Sequence, residues 1–193
     1  MTMQVINIMD KIKKFLLNRF EAADLFRAIK HHDVRRTKRI ARKTGTRFEY
    51  VNDVESGCPP MCLAAKQGFI DTITVLFHYG LSPHVPDDKC WFPVHYAAQS
   101  GQCDVINVLV ECGHADVTRS CPVAECPCKK QTALHVAAEF GQYEAVLALL
   151  HGGSDVNARD FENKTPLQVA DDAGHENIVH VINSFVAIHS HSV

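Results

Sequence analysis

Four heptapeptides in this chain align with one another: PPMCLAA at residues 59–65, FPVHYAA at 92–98, TALHVAA at 132–138 and TPLQVAD at 165–171. Their fourth positions, Cys62, His95, His135 and Gln168, are separated by 33, 40 and 33 residues. A fixed period of this length marks a solenoid, in which each unit buries its apolar face only against its neighbours. A glycine stands three residues past each heptapeptide, at Gly68, Gly101, Gly141 and Gly174. An apolar-periodic segment follows each time, over residues 70–77, 105–110, 143–150 and 178–182. It is closed by Gly80, Gly113 and Gly152/Gly153 in the first three copies. Each unit therefore reads as short helix, glycine turn, longer helix, glycine stop and extended loop. The Ala-Ala pairs let two helices approach closely, and a proline suits the first helical turn, where its missing N–H is not needed.

The unit resembles the ankyrin repeat. Its best copy lies at residues 131–160, with Thr132, Leu134, His135, Ala137, Ala138, Gly141, Leu149, Leu150, Gly153, Asp155, Val156 and Asn157 on the family pattern. The resemblance covers roughly residues 22–185. It implies an all-α solenoid of stacked helix–turn–helix units with extended loops or β-hairpin fingers between them. About five units are expected: a basic capping repeat at 22–55, repeats at 56–88, 89–128 and 129–161, and a C-terminal repeat with its tail at 162–193. The capping copy has the helix–turn–helix rhythm without the T-P-L-H element. The last copy carries apolar residues on more than one side of residues 177–188, which leaves open whether the natural chain continues, that end docks on something, or it is a short cap with a few exposed apolar residues. Residues 1–21 read as an amphipathic helix, with Val5, Ile8, Ile12, Leu16 and Phe20 at helical spacing. Packing on the first repeat and lying in a membrane interface are its two readings.

The net charge of −2 conceals an asymmetry. Residues 1–47 hold 13 Lys/Arg and 4 Asp/Glu, and residues 48–193 hold 7 and 18. No apolar run reaches the ~18 residues of a membrane span, and no signal peptide is legible at the N-terminus. With 8 cysteines and no export signal, the expectation is an intracellular protein, cytoplasmic and/or nuclear, with reduced thiols.

The candidate chemistry is sparse. No nucleophile elbow, P-loop, dinucleotide fingerprint or zincin motif is present, so catalysis is not expected. The family resemblance implies that His95 and His135 hydrogen-bond locally and hold neighbouring loops in register. Cys62, Cys103 and Cys112 map to helices as small buried side chains. Cys58, Cys90, Cys121, Cys126 and Cys128 map to loops. Cys121, Cys126 and Cys128, with Cys90 or His114, supply the four N/S ligands of a structural zinc. Incidental thiols in a long loop are the competing reading, and the family does not usually bind metal. Arg35, Arg36, Lys38, Arg39, Arg42 and Lys43 form a basic stretch, read as a solvated face, a nuclear-import signal or a site for an anionic partner. Direct nucleic-acid binding is a minor reading, and no aromatic stacking platform accompanies the stretch, which argues against single-strand recognition. Asn157 is a candidate for the asparaginyl hydroxylation seen in similar eukaryotic repeats, or a turn-stabilising Asn.

The resemblance implies a non-enzymatic scaffold, adaptor or inhibitor, that binds another protein through its concave face, with no small-molecule substrate and no cofactor beyond the candidate zinc. The alternatives are a zinc-stabilised recognition module and the targeting region of a larger regulatory protein or enzyme. Lys66, Gln67, Gln99, Glu139 and Phe140 on the short helices are the expected contacts, with Asp87, Asp88, Trp91, Arg159 and Phe161 on the loops. Trp91, the only tryptophan, reads either as a hot-spot anchor or as packing against the next loop.

Overall fold

The computed structural model describes residues 20–48, 51–113, 115–118, 120 and 130–189. The described residues form helices and connecting turns, with no strand among them. The helices come in five antiparallel pairs: α1 (residues 20–30) with α2 (Val34–Thr44), α3 (Pro60–Gln67) with α4 (Ile70–His78), α5 (Pro93–Gln99) with α6 (Cys103–Gly113), α7 (Ala133–Glu139) with α8 (Tyr143–His151), and α9 (Pro166–Asp172) with α10 (Glu176–His189). A 3-10 turn, Gly45–Phe48, follows α2. Helices α3, α5, α7 and α9 stack in one row, and α2, α4, α6, α8 and α10 in another.

Local chemistry starts the helices where the repeat predicts. Pro60, Pro93 and Pro166 occupy the first turns of α3, α5 and α9. Thr132 and Thr165 cap α7 and α9 with their side chains, each satisfying an N–H the helix leaves without a partner. The core runs unbroken through the stack. Ala64, Ala65, Ala97, Ala98, Ala137 and Ala138 are wholly buried between rows, as are Leu76, Leu109 and Leu149 at equivalent positions of the long helices. Each such leucine contributes about 1.5–3 kcal/mol of burial.

The inter-helix glycines are needed for two reasons at once. Gly141 has φ 70°, and a Cβ there would meet the His175 ring at 2.7 Å. That ring sits over the turn because its Nε2–H donates to Glu139 O, 3.1 Å away. Gly68 is similarly covered by Gln102. One repeat thus rests a side chain on the glycine turn of the repeat before it.

The fifth repeat ends the row with polar substitutions. Asp171 stands where internal copies have the buried Ala65, Ala98 and Ala138, and Asn183 where the fourth has the buried Leu150. Both are exposed. Val186 and Ile188 near the end of α10 are also exposed. At the other end, α1 includes Phe20 and Glu21 and so runs through the boundary expected at 21/22. Residues 1–19 of the expected amphipathic helix lie outside the described residues.

Candidate functional site

The loops between repeats share a built tip that the repeat pattern did not predict. Three of them begin with a buried aspartate, Asp53, Asp87 or Asp160. In each, the aspartate's backbone N–H closes the tip on a carbonyl further along: Cys58 O at 3.0 Å, Trp91 O at 2.9 Å and Lys164 O at 3.0 Å. Its carboxylate accepts the N–H groups inside the turn. Asp87 takes Lys89 N and Trp91 N at 2.9 and 2.7 Å, and Asp160 takes Glu162 N and Lys164 N, both at 2.9 Å. Asp53 takes the backbone N–H and hydroxyl of Ser56 at 3.0 and 2.7 Å. A left-handed residue completes every tip: Gly57, Cys90 and Asn163 have φ of 66°, 63° and 63°. Burial would raise the Asp53 carboxyl, but Ser56 and Lys30 outweigh it and hold it below the usual range. Lys30 is raised in turn, chiefly by its bond to Glu55.

The fourth position of the first three heptapeptides ties one repeat to the next. His95 Nε2–H donates to Gln131 O at 3.1 Å, and His135 Nε2–H to Lys164 O at 3.0 Å. The acceptor is each time the residue just before the next short-helix heptapeptide. Their Nδ1 atoms accept Phe92 N–H and Thr132 N–H, both at 3.2 Å. Cys62 uses a thiol for the same task, lying 3.5 Å from Trp91 O. Burial, and after it the nearby Asp87 carboxylate, pushes the Cys62 thiol up, so it stays a protonated donor. Burial pushes His95 down to about 4 and lowers His135 as well. Both imidazoles are neutral at neutral pH with both nitrogens engaged. A general base needs a free nitrogen lone pair, and neither offers one.

The structure separates the expected contact residues into exposed and built-in groups. Lys66, Gln67, Asp88, Glu139, Phe140, Arg159 and Phe161 are exposed along the short helices and finger tips, and Gln99 is half-buried. Phe140 and Phe161 are 47% and 67% exposed, large for aromatics with no polar group to solvate. Asp87 is a correction. It is buried beneath its finger, where it accepts the Tyr96 hydroxyl and two backbone N–H groups, so it holds the finger and is not available to a partner. Trp91 is only partly exposed and packs edge-on to Tyr96 at 5.1 Å between ring centres.

A cavity of about 750 Å³ lies between α1 and the first finger, lined by Ala22, Phe26, Phe48, Val51 and Val54, with Arg27 among its polar neighbours. Sequence reasoning missed it. The only available sign was the pair Val51 and Val54 in a loop, where apolar residues usually carry no message.

The basic stretch is divided by its ion pairs. Arg36 bonds Asp24 at 3.1 Å, and Lys43 bonds Glu21. Arg35, Lys38, Arg39 and Arg42 are exposed and make no ion pair among the described residues. The cysteines also divide. Cys58 is buried, with its thiol 3.5 Å from the Tyr96 hydroxyl. Cys112, expected inside, is exposed near the end of α6. Cys90 sits at the left-handed position of its finger. The other candidate zinc ligands, His114, Cys121, Cys126 and Cys128, lie outside the described residues. Among the described residues no three His, Cys, Asp or Glu gather as a metal site, and no helix is long and apolar enough to cross a membrane. Asn157 is exposed, and its N–H donates to Asp155 Oδ1 at 2.9 Å.

Two rows of helices, fingers closed by buried aspartates and imidazole bridges between units define a linear solenoid scaffold. The profile described as "Ankyrin repeats (3 copies)" matches residues 25–121, 61–160 and 122–184, and the chain belongs to the ankyrin-repeat family. These repeats are a protein–protein interaction module, and the family is generally non-enzymatic. The human ankyrin repeat and SOCS box protein 3 is 32% identical over 57% of this chain and 20% of its own length. Mouse Rabankyrin-5 is 29% identical over 72% of this chain and 14% of its own. A Caenorhabditis elegans homologue of transient receptor potential cation channel subfamily A member 1 is 31% identical over 60% of this chain and 9% of its own. The chain thus spans a fifth or less of these relatives.

Proposed function

We propose that this chain is a non-catalytic adaptor or inhibitor that binds a partner protein across its short helices and finger tips. The observation that carries the reading is the exposure of Phe140 and Phe161 on that face, amid the charged side chains of Glu139, Arg159 and Glu162. Exposed aromatics bring large apolar area at small entropic cost and dominate interface energetics. Fingers locked by Asp87 and Asp160 present such groups without an ordering penalty on binding. The engaged nitrogens of His95 and His135 and the buried, protonated Cys62 support the non-catalytic half of the reading.

The test compares three immobilised proteins: the wild type, the Phe140→Ala/Phe161→Ala double variant, and a control, Glu176→Gln, on the long-helix row. We expect a discrete set of proteins retained by wild type and control and lost about 30- to 1,000-fold by the double variant, from ~1–2 kcal/mol per anchor. Equal retention by all three, with folding confirmed by circular dichroism, places binding elsewhere and overturns the reading.

A further inference from the structure

Helix α2 differs in charge from the rest of the long-helix row. Six of its 11 residues are Arg or Lys and none is Asp or Glu, whereas α4, α6, α8 and α10 contain no Lys or Arg. The chain neutralises two of the six from α1, Arg36 with Asp24 and Lys43 with Glu21. Arg35, Lys38, Arg39 and Arg42 stand at i, i+3, i+4 and i+7, in one stripe about 100° wide. The stripe lies opposite the side that buries Thr37, Ala41 and Thr44, and all four of its side chains are exposed. This arrangement works against the helix that carries it. Arg35–Arg39 and Lys38–Arg42 are like-charge pairs at i,i+4. Arg35 also stands in a first turn that has no acidic residue, where the helix dipole disfavours a cation.

We infer that this stripe docks an acidic helical segment of a partner protein. The spacing selects the shape. At 1.5 Å per residue the four cations stand at 0, about 4.5, about 6 and about 10.5 Å along α2. Glutamates at i, i+3, i+4 and i+7 of a second helix rise by the same steps, and that order of steps reads the same in both directions. One helix laid along the other therefore brings all four pairs into register together. An extended strand repeats a side every ~6.6–6.8 Å and falls out of step after the second level. Antiparallel docking sets the negative C-terminal end of the segment beside Arg35, which favours that direction.

The surroundings disfavour a wider anion. Asp71 holds on α4 the place that Arg35 holds on α2, second in the helix, and packed helices lie about 10 Å apart. Beyond it come Asp104, Glu111 and Glu144, exposed on the same row. A duplex or an anionic membrane broad enough to cross α4 meets these carboxylates with no Lys or Arg of the long helices between them. Single-stranded nucleic acid needs aromatic side chains for its bases to stack on, and α2 has none. A helix about 10–12 Å wide fits on α2 alone. Two helices touching over about 16 Å bury on the order of 300 Å², far less than a stable interface, so the contact is weak and salt-sensitive. The short helices and fingers stay free for the partner proposed above.

Fluorescence anisotropy with the full chain tests this, using two labelled 20-residue alanine-based peptides. One carries four glutamates at i, i+3, i+4 and i+7. The other carries the same four spaced five apart, which spreads them around the helix. The striped peptide should bind at about 0.1 M salt, gain helicity on binding by circular dichroism, and be released at about 1 M. The spread isomer should bind about 5-fold or more weakly, since it cannot form all four pairs at once. Against the Arg35→Gln/Lys38→Gln/Arg39→Gln/Arg42→Gln variant the striped peptide should weaken about 10-fold or more, from four pairs lost. That variant should melt no lower than wild type, because it also loses the like-charge pairs, so its weaker binding is not a loss of fold. No binding of the striped peptide overturns the proposal. So does equal binding of the two peptides, binding without a gain of helicity, or a striped peptide indifferent to the four substitutions. A DNA duplex or a phosphatidylserine vesicle that binds more tightly than the striped peptide, and is lost in the variant, overturns it in favour of an extended polyanion.

Discussion

His95 bonds two repeats with one ring, taking Phe92 N–H on Nδ1 and giving Nε2–H to Gln131 O. A proton added at Nδ1 would turn that acceptor into a donor facing an N–H. Burial is the leading reason for a folded-state value of about 4 against 6.5 unfolded. The folded value is the lower one, so the unfolded chain holds more protons in between. Stability is therefore complete above about pH 6.5 and is lost as pH falls towards and through about 4. For this one group the loss is on the order of 3 kcal/mol, and His135, lowered for the same leading cause, adds to it. Gln168 does the Nδ1 part of the job in the fifth repeat, accepting Thr165 N–H at 3.0 Å without a titrating ring. His95→Gln should therefore cost about 1–2 kcal/mol at pH 7.5, for one lost bond and imperfect packing. It should also flatten the fall in stability between pH 6.5 and 4. Urea titrations at several pH values read both effects. An unchanged pH slope in the variant would show that another group carries the acid sensitivity.

The finger is the element in which sequence and structure part most. The helices were legible because a 33-residue period, glycine turns and Ala-Ala pairs are all local signals. The fingers were not, because their common feature is one aspartate in a loop, and loops are rich in aspartate for many reasons. Asp87 differs further, because its carboxylate also accepts the hydroxyl of Tyr96, a residue that only this repeat has at that position. A partner residue and a buried strut look alike until Tyr96 is placed. Trp91 was open for the same reason, since its packing depends on that ring. The pairing of Lys43 with Glu21 and of Arg36 with Asp24 spans 22 and 12 residues, too far for helical spacing to suggest. The distinction among the aspartates is measurable. Asp160→Ala removes two turn bonds from a finger near the surface and should cost about 1–2 kcal/mol. It should speed hydrogen exchange at Glu162 and Lys164 with little change in the helices. Asp87→Ala also leaves the buried Tyr96 hydroxyl without its acceptor and should cost more, about 3 kcal/mol. The Asp87→Ala/Tyr96→Phe double variant should regain part of the difference. A double variant as unstable as the sum of its parts would mean that the Tyr96–Asp87 bond contributes nothing.

Among the described residues, the main helix contacts run between adjacent repeats within each row and between the two helices of a pair or its neighbour. Stability in such a chain is close to a sum of unit and nearest-neighbour terms. Leu109 and Ile182 occupy equivalent positions, one in the middle of the long-helix row and one at its end, and each is at most 1% exposed. Leu109 sits in α6, which has α4 on one side and α8 on the other, whereas Ile182 in α10 has only α8. Leu109→Ala should therefore loosen two interfaces and Ile182→Ala one. The direct cavity cost at either site is about 2–5 kcal/mol. The difference lies in where it is felt. In native-state hydrogen exchange, Ile182→Ala should lose protection in α9 and α10 and spare α3 to α6, because the last unit can open while the rest stays stacked. Leu109→Ala should lower protection from α4 through α8, since opening the central unit strips cover from both neighbours. A uniform loss across all repeats from Ile182→Ala would show a single cooperative unit and would contradict the nearest-neighbour account. Confinement of the Leu109→Ala effect to α5 and α6 would show that the interfaces contribute less than the units themselves.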